Sequence, residues 1–399
     1  MRFPISPAVA GVQSPPITEV KGWLAGRSFP PERPLVDLCQ AVPDYAPASE
    51  LTRYLAEIIH DPQVARYSPD EGLPEVREAV AAWYRRRYGA GPQPSQICLT
   101  IGASQAFWLA MTVLCQAGDE VIVPLPAYFD HPMALQTLGV VPVFVPFAEG
   151  EQEGGELAPL AARISPRTRA ILLVTPSNPT GAVASPARLA QLLALARRHR
   201  LALVVDETYN AFLPGPPHQL FADPQWDDHL LHLASFGKTF ALTGYRAGAL
   251  VASERFLHQA LKVQDTMAVC QPRITQQAVR YGCERLDGWV TVNAEAMRRR
   301  HDLFRGEFLA PGNPFALAAS GAFFAWVRHP WPLLTGRQAA RRLADQANLI
   351  CLPGEAFGPG LENYLRLAFG NVRETEIPMA LERFREFAVD STLGSVRSA

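Results

Sequence analysis

The chain carries no excess of charge of either sign. Its 37 Lys and Arg residues against 38 Asp and Glu leave a net charge of −1 over 399 residues. Without a basic surplus there is no electrostatic footprint for nucleic acid or an anionic membrane, and neither is expected as a partner. The six cysteines, Cys39, Cys98, Cys115, Cys270, Cys283 and Cys351, are scattered and form no C-x-x-C pair. That argues against a disulfide framework and a zinc site, and suits free thiols in a reducing, cytoplasmic compartment; no metal is expected. No continuous apolar run follows Arg2, so no secretory signal is read. There is no internal repeat, and the only biased tract is a Gly/Glu-rich run at 149–156, read as a surface loop. One stretch, Tyr88 to Gly118, lacks charge altogether. Its apolar part, Ile97 to Cys115, has about the length of a membrane span. Gly102, Ser104 and Gln105 interrupt its middle, and Gly89, Gly91, Pro92 and Pro94 break its start. The stretch reads as a short buried strand, a tight turn and a buried helix.

What is present is enough apolar material for a large core: 48% hydrophobic against 19% charged residues, which excludes wholesale disorder. At roughly 150 residues per domain the length suggests two or three domains, or one large domain with a satellite. The proline-rich first 35 residues are expected to wrap over the body as an extended arm. Leu73, Val76, Val80 and Tyr84 repeat at helical spacing within a segment bounded by Ser68 and Gly89, with Pro74 suited to a first turn. Apolar runs at 120–123, 140–145, 170–174, 201–205, 230–234 and 247–251 alternate with helical patterns, among them Ser185-Pro186 followed by Leu189, Leu192, Leu193 and Ala196 and closed by Arg197, Arg198 and His199. Alternation of this kind predicts an α/β domain around a largely parallel sheet buried on both faces. After about residue 285 a long charged helix is expected over 290–308, then a strand at 322–327, a helix at 337–347 and a strand at 364–368, a smaller α+β domain. The tail beyond Asp390 is expected to fray. The division read is 1–44 as arm and part of the small domain, 45–285 as the large α/β domain, and 286–399 as the small domain.

The chemistry concentrates in Ser235-Phe236-Gly237-Lys238-Thr239, continued by Gly244-Tyr245-Arg246. A lysine following an apolar strand among small and hydroxylated residues is poorly suited to a solvated face. A half-buried lysine loses proton affinity and becomes a nucleophilic amine. Ser235 and Arg246 bracket it with a hydroxyl and a fixed cation, groups that hold phosphate. Upstream, Asp206 ends an apolar strand in Asp206-Glu207-Thr208-Tyr209, otherwise an ordinary helix cap or surface turn. Asn178 sits in Ser177-Asn178-Pro179-Thr180-Gly181, otherwise an ordinary Asn-Pro turn. Gly102-Ala103-Ser104-Gln105 opens a helix with unpaired N–H groups aimed at whatever anion meets them. Arg366, inside the apolar strand Tyr364-Leu365-Arg366-Leu367, calls for a bidentate anion or a structural salt bridge.

The lysine segment resembles the signature of the class I/II aminotransferases, the fold type I enzymes that use pyridoxal 5′-phosphate (PLP), and the other family residues follow in order across most of the chain. The resemblance implies a fold type I architecture, with a mostly parallel sheet of the seven-stranded type in the large domain and a smaller α+β domain. It implies Lys238 as the lysine that binds the cofactor, Asp206 as the partner of the ring nitrogen, and Tyr209 as the phenol on the ring oxygen. Ala103, Ser104, Ser235 and Arg246 would hold the phosphate and Tyr128, in Pro126-Ala127-Tyr128, would stack on the ring. Tyr67 would reach the phosphate of a neighbouring subunit, making the protein a homodimer with shared sites. Asn178 would sit between the cofactor's ring oxygen and the substrate α-carboxylate, which Arg366 would clamp, beside Ala41, where the family usually carries glycine. The residue matching the partner-subunit arginine of aspartate-type enzymes falls near Thr266, with Arg273 aimed elsewhere. Together with Trp23, Phe107 and Trp108 as candidate wall residues, that implies a neutral, apolar or aromatic amino donor and a 2-oxo acid acceptor. His131 is read as pocket wall or structural residue. The same cofactor would also serve a β/γ-lyase, an oxidase or a cyclase, and the same scaffold a non-catalytic ligand sensor.

Overall fold

The computed structural model describes residues 3–146 and 157–390; the expected loop at 149–156 and the expected fraying beyond Asp390 lie outside the described residues. Seven strands, β1 (Ile97–Ile101), β2 (Glu120–Pro124), β3 (Val141–Val145), β4 (Thr168–Val174), β5 (Ala202–Asp206), β6 (Leu230–Ser235) and β7 (Ala247–Val251), form one sheet. Their spatial order is β1-β7-β6-β5-β4-β2-β3. β7 runs antiparallel to both neighbours, and the remaining pairs are parallel. Alternate residues of each strand enter two different cores. Ile171, Leu203 and Val205 pack with α1 (Pro74–Tyr88) and α3 (Pro186–His199). Leu172, Val204 and Leu233 pack on the other face with α2 (Gly102–Leu114). Burial on both faces is why these strands read as continuous apolar runs.

Helix boundaries follow local chemistry. α1 starts at Pro74, so Ser68–Leu73 is loop, and it ends on Gly89 in the left-handed region at φ 76°. Ser185 caps α3 by accepting from the Arg188 N–H at 3.1 Å. The uncharged stretch from Tyr88 to Gly118 becomes β1, a turn and α2, and no helix among the described residues is long and apolar enough to cross a membrane.

A second, antiparallel sheet is built from β8 (Ala316–Gly321), β9 (Phe324–Arg328), β10 (Leu352–Pro353) and β11 (Tyr364–Ala368), in the order β10-β11-β9-β8. The single strand expected at 322–327 is the second arm of a hairpin that turns at Ala322-Phe323. The first arm, Ala-Leu-Ala-Ala-Ser-Gly, lacks the β-branched residues by which a strand is recognised. The long helix runs Asp287–Phe308, and with this sheet it encloses an aromatic core in which Phe304 and Phe369 lie 4.3 Å apart.

The N-terminal segment differs from the expected extended arm. It holds two short helices, Pro7–Ala10 and Pro16–Gly22, because Pro7 and Pro16 stand at the first helical position, where a missing N–H costs nothing. Val36–Asp37 then pairs in parallel with Leu349–Ile350, just ahead of β10 in the chain, as a separate two-stranded sheet.

Candidate active site

A cavity of about 520 Å³ opens where parallel strands end, at Val174 of β4, Asp206 of β5 and Ser235 of β6. Ligands of open α/β sheets bind at the carboxyl ends of strands for this reason: helix N-termini and loops converge there. Ala41, Ala103, Ser104, Tyr128, Asn178, Tyr209, Lys238, Arg246 and Arg366 also line it, so eleven of the twelve site residues read from the sequence meet in one space.

One end of the cavity suits an oxyanion. Gly102, at φ 73°, turns the chain from β1 into α2, whose first-turn N–H groups have no intrahelical partner and no side-chain cap. A Cβ on Gly102 would stand 2.7 Å from Arg246 Nη2, and one on Gly248 would stand 2.4 Å from the Gly102 carbonyl carbon. The two glycines therefore let Arg246 and β7 close on the turn. Arg246 Nη1 donates to the Thr243 carbonyl at 3.2 Å, and among the described residues no carboxylate pairs with this guanidinium. A cation and unpaired N–H groups facing one space fit a phosphate group.

Lys238 lies in the short helix Phe236–Thr239 that follows β6. Its Nζ donates to the Ala41 carbonyl at 2.6 Å. Burial, then the charges of Arg246 and Arg366, lower its pKa to about 8. The chain has two other lysines, Lys21 and Lys262, and both are exposed. A folded pKa below the ordinary lysine value means that the reactive neutral amine accumulates as pH rises through 8. Acylation of Lys238 by an amine-selective reagent is expected to follow that titration, with its midpoint near 8. Peptide mass spectrometry across pH 6–11 checks this, and a midpoint above about 10 would be that of an ordinary solvated lysine.

Across the cavity Asp206 is buried. Its Oδ2 is 3.2 Å from His131 Nε2, and its Oδ1 accepts from the Thr208 N–H at 3.0 Å and the Thr208 hydroxyl at 2.7 Å. Burial alone would raise the carboxyl pKa; the His131 contact and the Thr208 donors outweigh it and hold it below the ordinary value. Asn178 joins two groups: its Nδ2 is 3.5 Å from the Tyr209 hydroxyl, and its Oδ1 accepts from Arg366 Nη1 at 3.1 Å. Arg366 Nη2 donates to the Cys39 carbonyl. Gly181, at φ 73°, lets the Asn178 turn meet the second sheet: a Cβ there would stand 2.2 Å from the Gly321 carbonyl oxygen.

Tyr128 lines the cavity with its hydroxyl donated to Asp130. Phe107 and Trp108 are wall residues, whereas Trp23 lies outside, under Arg341. Thr266 bonds the Val263 carbonyl within its own helix, and Arg273 donates to the Tyr67 carbonyl. Tyr67 is 76% exposed and stands outside this cavity. His131 is both alternatives at once, a lining residue and the partner of Asp206, with its ring 4.3 Å from Phe107. Thr208, Val12 and Ile17 also line the cavity without having been singled out by the sequence. Thr208 was adjacent to a recognised residue; Val12 and Ile17 sit among prolines with no periodicity to mark them.

The model of the family "Aminotransferase class I and II" matches residues 33–384. The chain is 29% identical over 394 residues to the aromatic aminotransferase ISS1 of Arabidopsis thaliana, covering 96% of this chain and 95% of that one. It is 30% identical over 360 residues to an aspartate aminotransferase of Streptomyces avermitilis, covering 84% and 85%. Among solved structures, the aspartate aminotransferase from Thermus thermophilus with maleate superposes with a TM-score of 0.87 at 28% identity, covering 97% of this chain and all of that one. The aromatic aminotransferase from Pyrococcus horikoshii superposes with a TM-score of 0.84 at 26% identity, covering 94% and 100%.

Proposed function

Because the chain belongs to the class I and II aminotransferases, we propose that it uses PLP to move an amino group from a neutral, apolar or aromatic L-amino acid to a 2-oxo acid. The observation that carries this is the convergence of a lysine of lowered pKa, a buried aspartate and a buried arginine on one cavity with an anion cradle. The first-turn amides at Ala103 and Ser104, with Ser235 and Arg246, would hold the phosphate; Tyr128 would cover the ring; Asp206 would pair with the ring nitrogen and Tyr209 with the ring oxygen. PLP, when bound, supplies an aldehyde that amines condense with and a ring that takes up the electrons released at Cα.

The chain's own residues then divide the work. Arg366 and Asn178 bind the α-carboxylate. Fixing that group sets which Cα bond faces the ring, and so selects proton loss over decarboxylation. Lys238 Nζ, neutral above its lowered pKa, would take the Cα proton as base and then, as acid, give it up to the cofactor's carbon instead of back to Cα. Dividing the chain at residues 44 and 285 would put Lys238 and Asp206 in one part and Arg366 in the other, so that substrate is gripped from both.

The donor class is supported by the wall. Phe107, Trp108, Met133, Val12 and Ile17 line the cavity, and its three cations, Lys238, Arg246 and Arg366, already have roles. The similarity to aromatic aminotransferases agrees. A homodimer is supported by the exposure of Tyr67 beside a site that it would complete in a second copy, and a cytoplasmic location by six free cysteines. The test is the visible spectrum of PLP-loaded protein against a panel of amino acids. Phenylalanine, tyrosine, methionine or leucine is expected to bleach the band and release its 2-oxo acid, and added 2-oxo acid to restore it. Aspartate as the fastest donor would overturn the donor class. Ammonia release or oxygen uptake without restoration would replace transfer by a lyase or oxidase reaction.

A further inference from the structure

The segment that presents Asp206 and Tyr209 has a second side. Asp206, Thr208 and Tyr209 line the cavity, whereas Glu207 and Asn210 are buried against the last turn of α1. Glu207 Oε2 accepts from the Tyr88 hydroxyl and lies 2.9 Å from His232 Nε2. Asn210 Nδ2 donates to the same Tyr88 hydroxyl, and the Asn210 carbonyl accepts from Arg87 Nη2. His232 Nδ1 is in turn 2.9 Å from the Tyr84 hydroxyl. Tyr84, Arg87 and Tyr88 are spaced i, i+3 and i+4, one face of one helical turn. The back of the segment is therefore tied to that face both directly and through His232 of β6.

The cluster has a consistent set of proton positions. Tyr88 donates to Glu207, so its oxygen is free to accept from Asn210. His232 donates from Nε2 to Glu207, leaving Nδ1 to accept from Tyr84. His218 Nδ1 accepts the Leu220 N–H at 3.1 Å, which leaves the ring proton on Nε2, 3.5 Å from Glu207 Oε2. Glu207, His218 and His232 bring potential ligand atoms within 4.8 Å of one another, but an imidazole that carries its proton on Nε2 cannot bind a metal there. Glu207 and His232 form a hydrogen-bonded anchor instead, with His218 Nε2 beside them but outside hydrogen-bond reach of Glu207.

We propose that Glu207 and Tyr88 are positioning residues: by tying the back of residues 206–210 to α1 they fix where Asp206 and Tyr209 stand in the cavity. This rests on the reading that Asp206 and Tyr209 hold PLP. Strand alternation supplies the physical link, since Asp206 and Glu207 share one stretch of backbone and face opposite sides. A shift of the anchor moves the carboxylate on the other side.

The test uses the full chain. Tyr88→Phe removes one hydroxyl and keeps the ring stacked on Tyr84, 5.3 Å away; Glu207→Ala removes the acceptor, and Glu207→Gln restores one oxygen. Tyr88→Phe is expected to melt cooperatively, to bind PLP about tenfold more weakly, and to displace the pH midpoint of the visible band. Glu207→Ala is expected to exceed that effect and Glu207→Gln to recover most of it. If Tyr88→Phe lowers only the melting temperature, with PLP affinity and pH midpoint those of the wild type, the cluster is structural and the proposal fails. Wild-type protein that binds no PLP would overturn the reading beneath it.

Discussion

Lys238→Ala is expected to cut amino transfer by at least about 10³-fold while leaving the fold intact, the larger share from the lost nucleophile and the rest from the lost acid–base group. Retention of the fold follows from the site's own energetics. Nζ makes one hydrogen bond, to the Ala41 carbonyl, and burial with two nearby cations holds its pKa near 8. An amine whose pKa falls on folding opposes folding while protonated. Its unfavourable contribution is fully present below pH 8 and disappears as pH rises toward the unfolded value of about 10.5. The alanine variant has no such term. Its melting temperature should match or exceed that of the wild type at pH 7, and stability should lose the rise with pH that Lys238 contributes between 8 and 10.5. Turnover assays, intact mass after borohydride reduction with PLP, and melts at several pH values read the three effects. Normal transamination in the variant would remove Lys238 from the centre of the site.

How much of this could be read from the chain depended on whether the signal was local. The Lys238 segment places its nucleophile, its serine and its arginine within a dozen residues, and the order of Asn178, Asp206 and Lys238 follows the order of parallel strands. Arg366 was visible as a charge inside an apolar run. The seven strands were legible because burial on both faces makes them near-continuous apolar segments. β8 was not, because its residues are mostly small. The Glu207 anchor was illegible for a different reason. Its partners Tyr88 and His232 are separated from it by 119 and 25 residues, and a tyrosine in a helix or a histidine in a strand carries no sign of what it bonds. His131 stayed undecided for the same reason until its ring was placed on Asp206. The scarcity of lysine, three in the chain, was a signal that reading motif by motif passes over.

Arg366 should separate activity from stability most sharply. It is 1% exposed in β11, with its guanidinium 5.5 Å from the Phe324 ring and 5.7 Å from the Phe357 ring. Its hydrogen bonds go to two neutral acceptors, Asn178 Oδ1 and the Cys39 carbonyl, and Nε is buried without a partner. No carboxylate pairs with it among the described residues. Burial accordingly lowers its pKa, against the raising effects of Cys39 and Tyr209. A buried cation short of a counter-ion is a load on the fold, relieved when a substrate carboxylate arrives. Arg366→Met should therefore melt at or above the wild-type temperature in the absence of substrate, while kcat/KM for the amino donor falls by about 10²–10³-fold. Arg366→Lys keeps a charge but loses the planar fork, so its kcat/KM should lie between the two. The loss should appear for the 2-oxo acid as well, since both half-reactions present a carboxylate to the same guanidinium. A methionine variant that melts several degrees lower and keeps its kcat/KM would make Arg366 a structural residue and send the search for the carboxylate clamp elsewhere in the cavity.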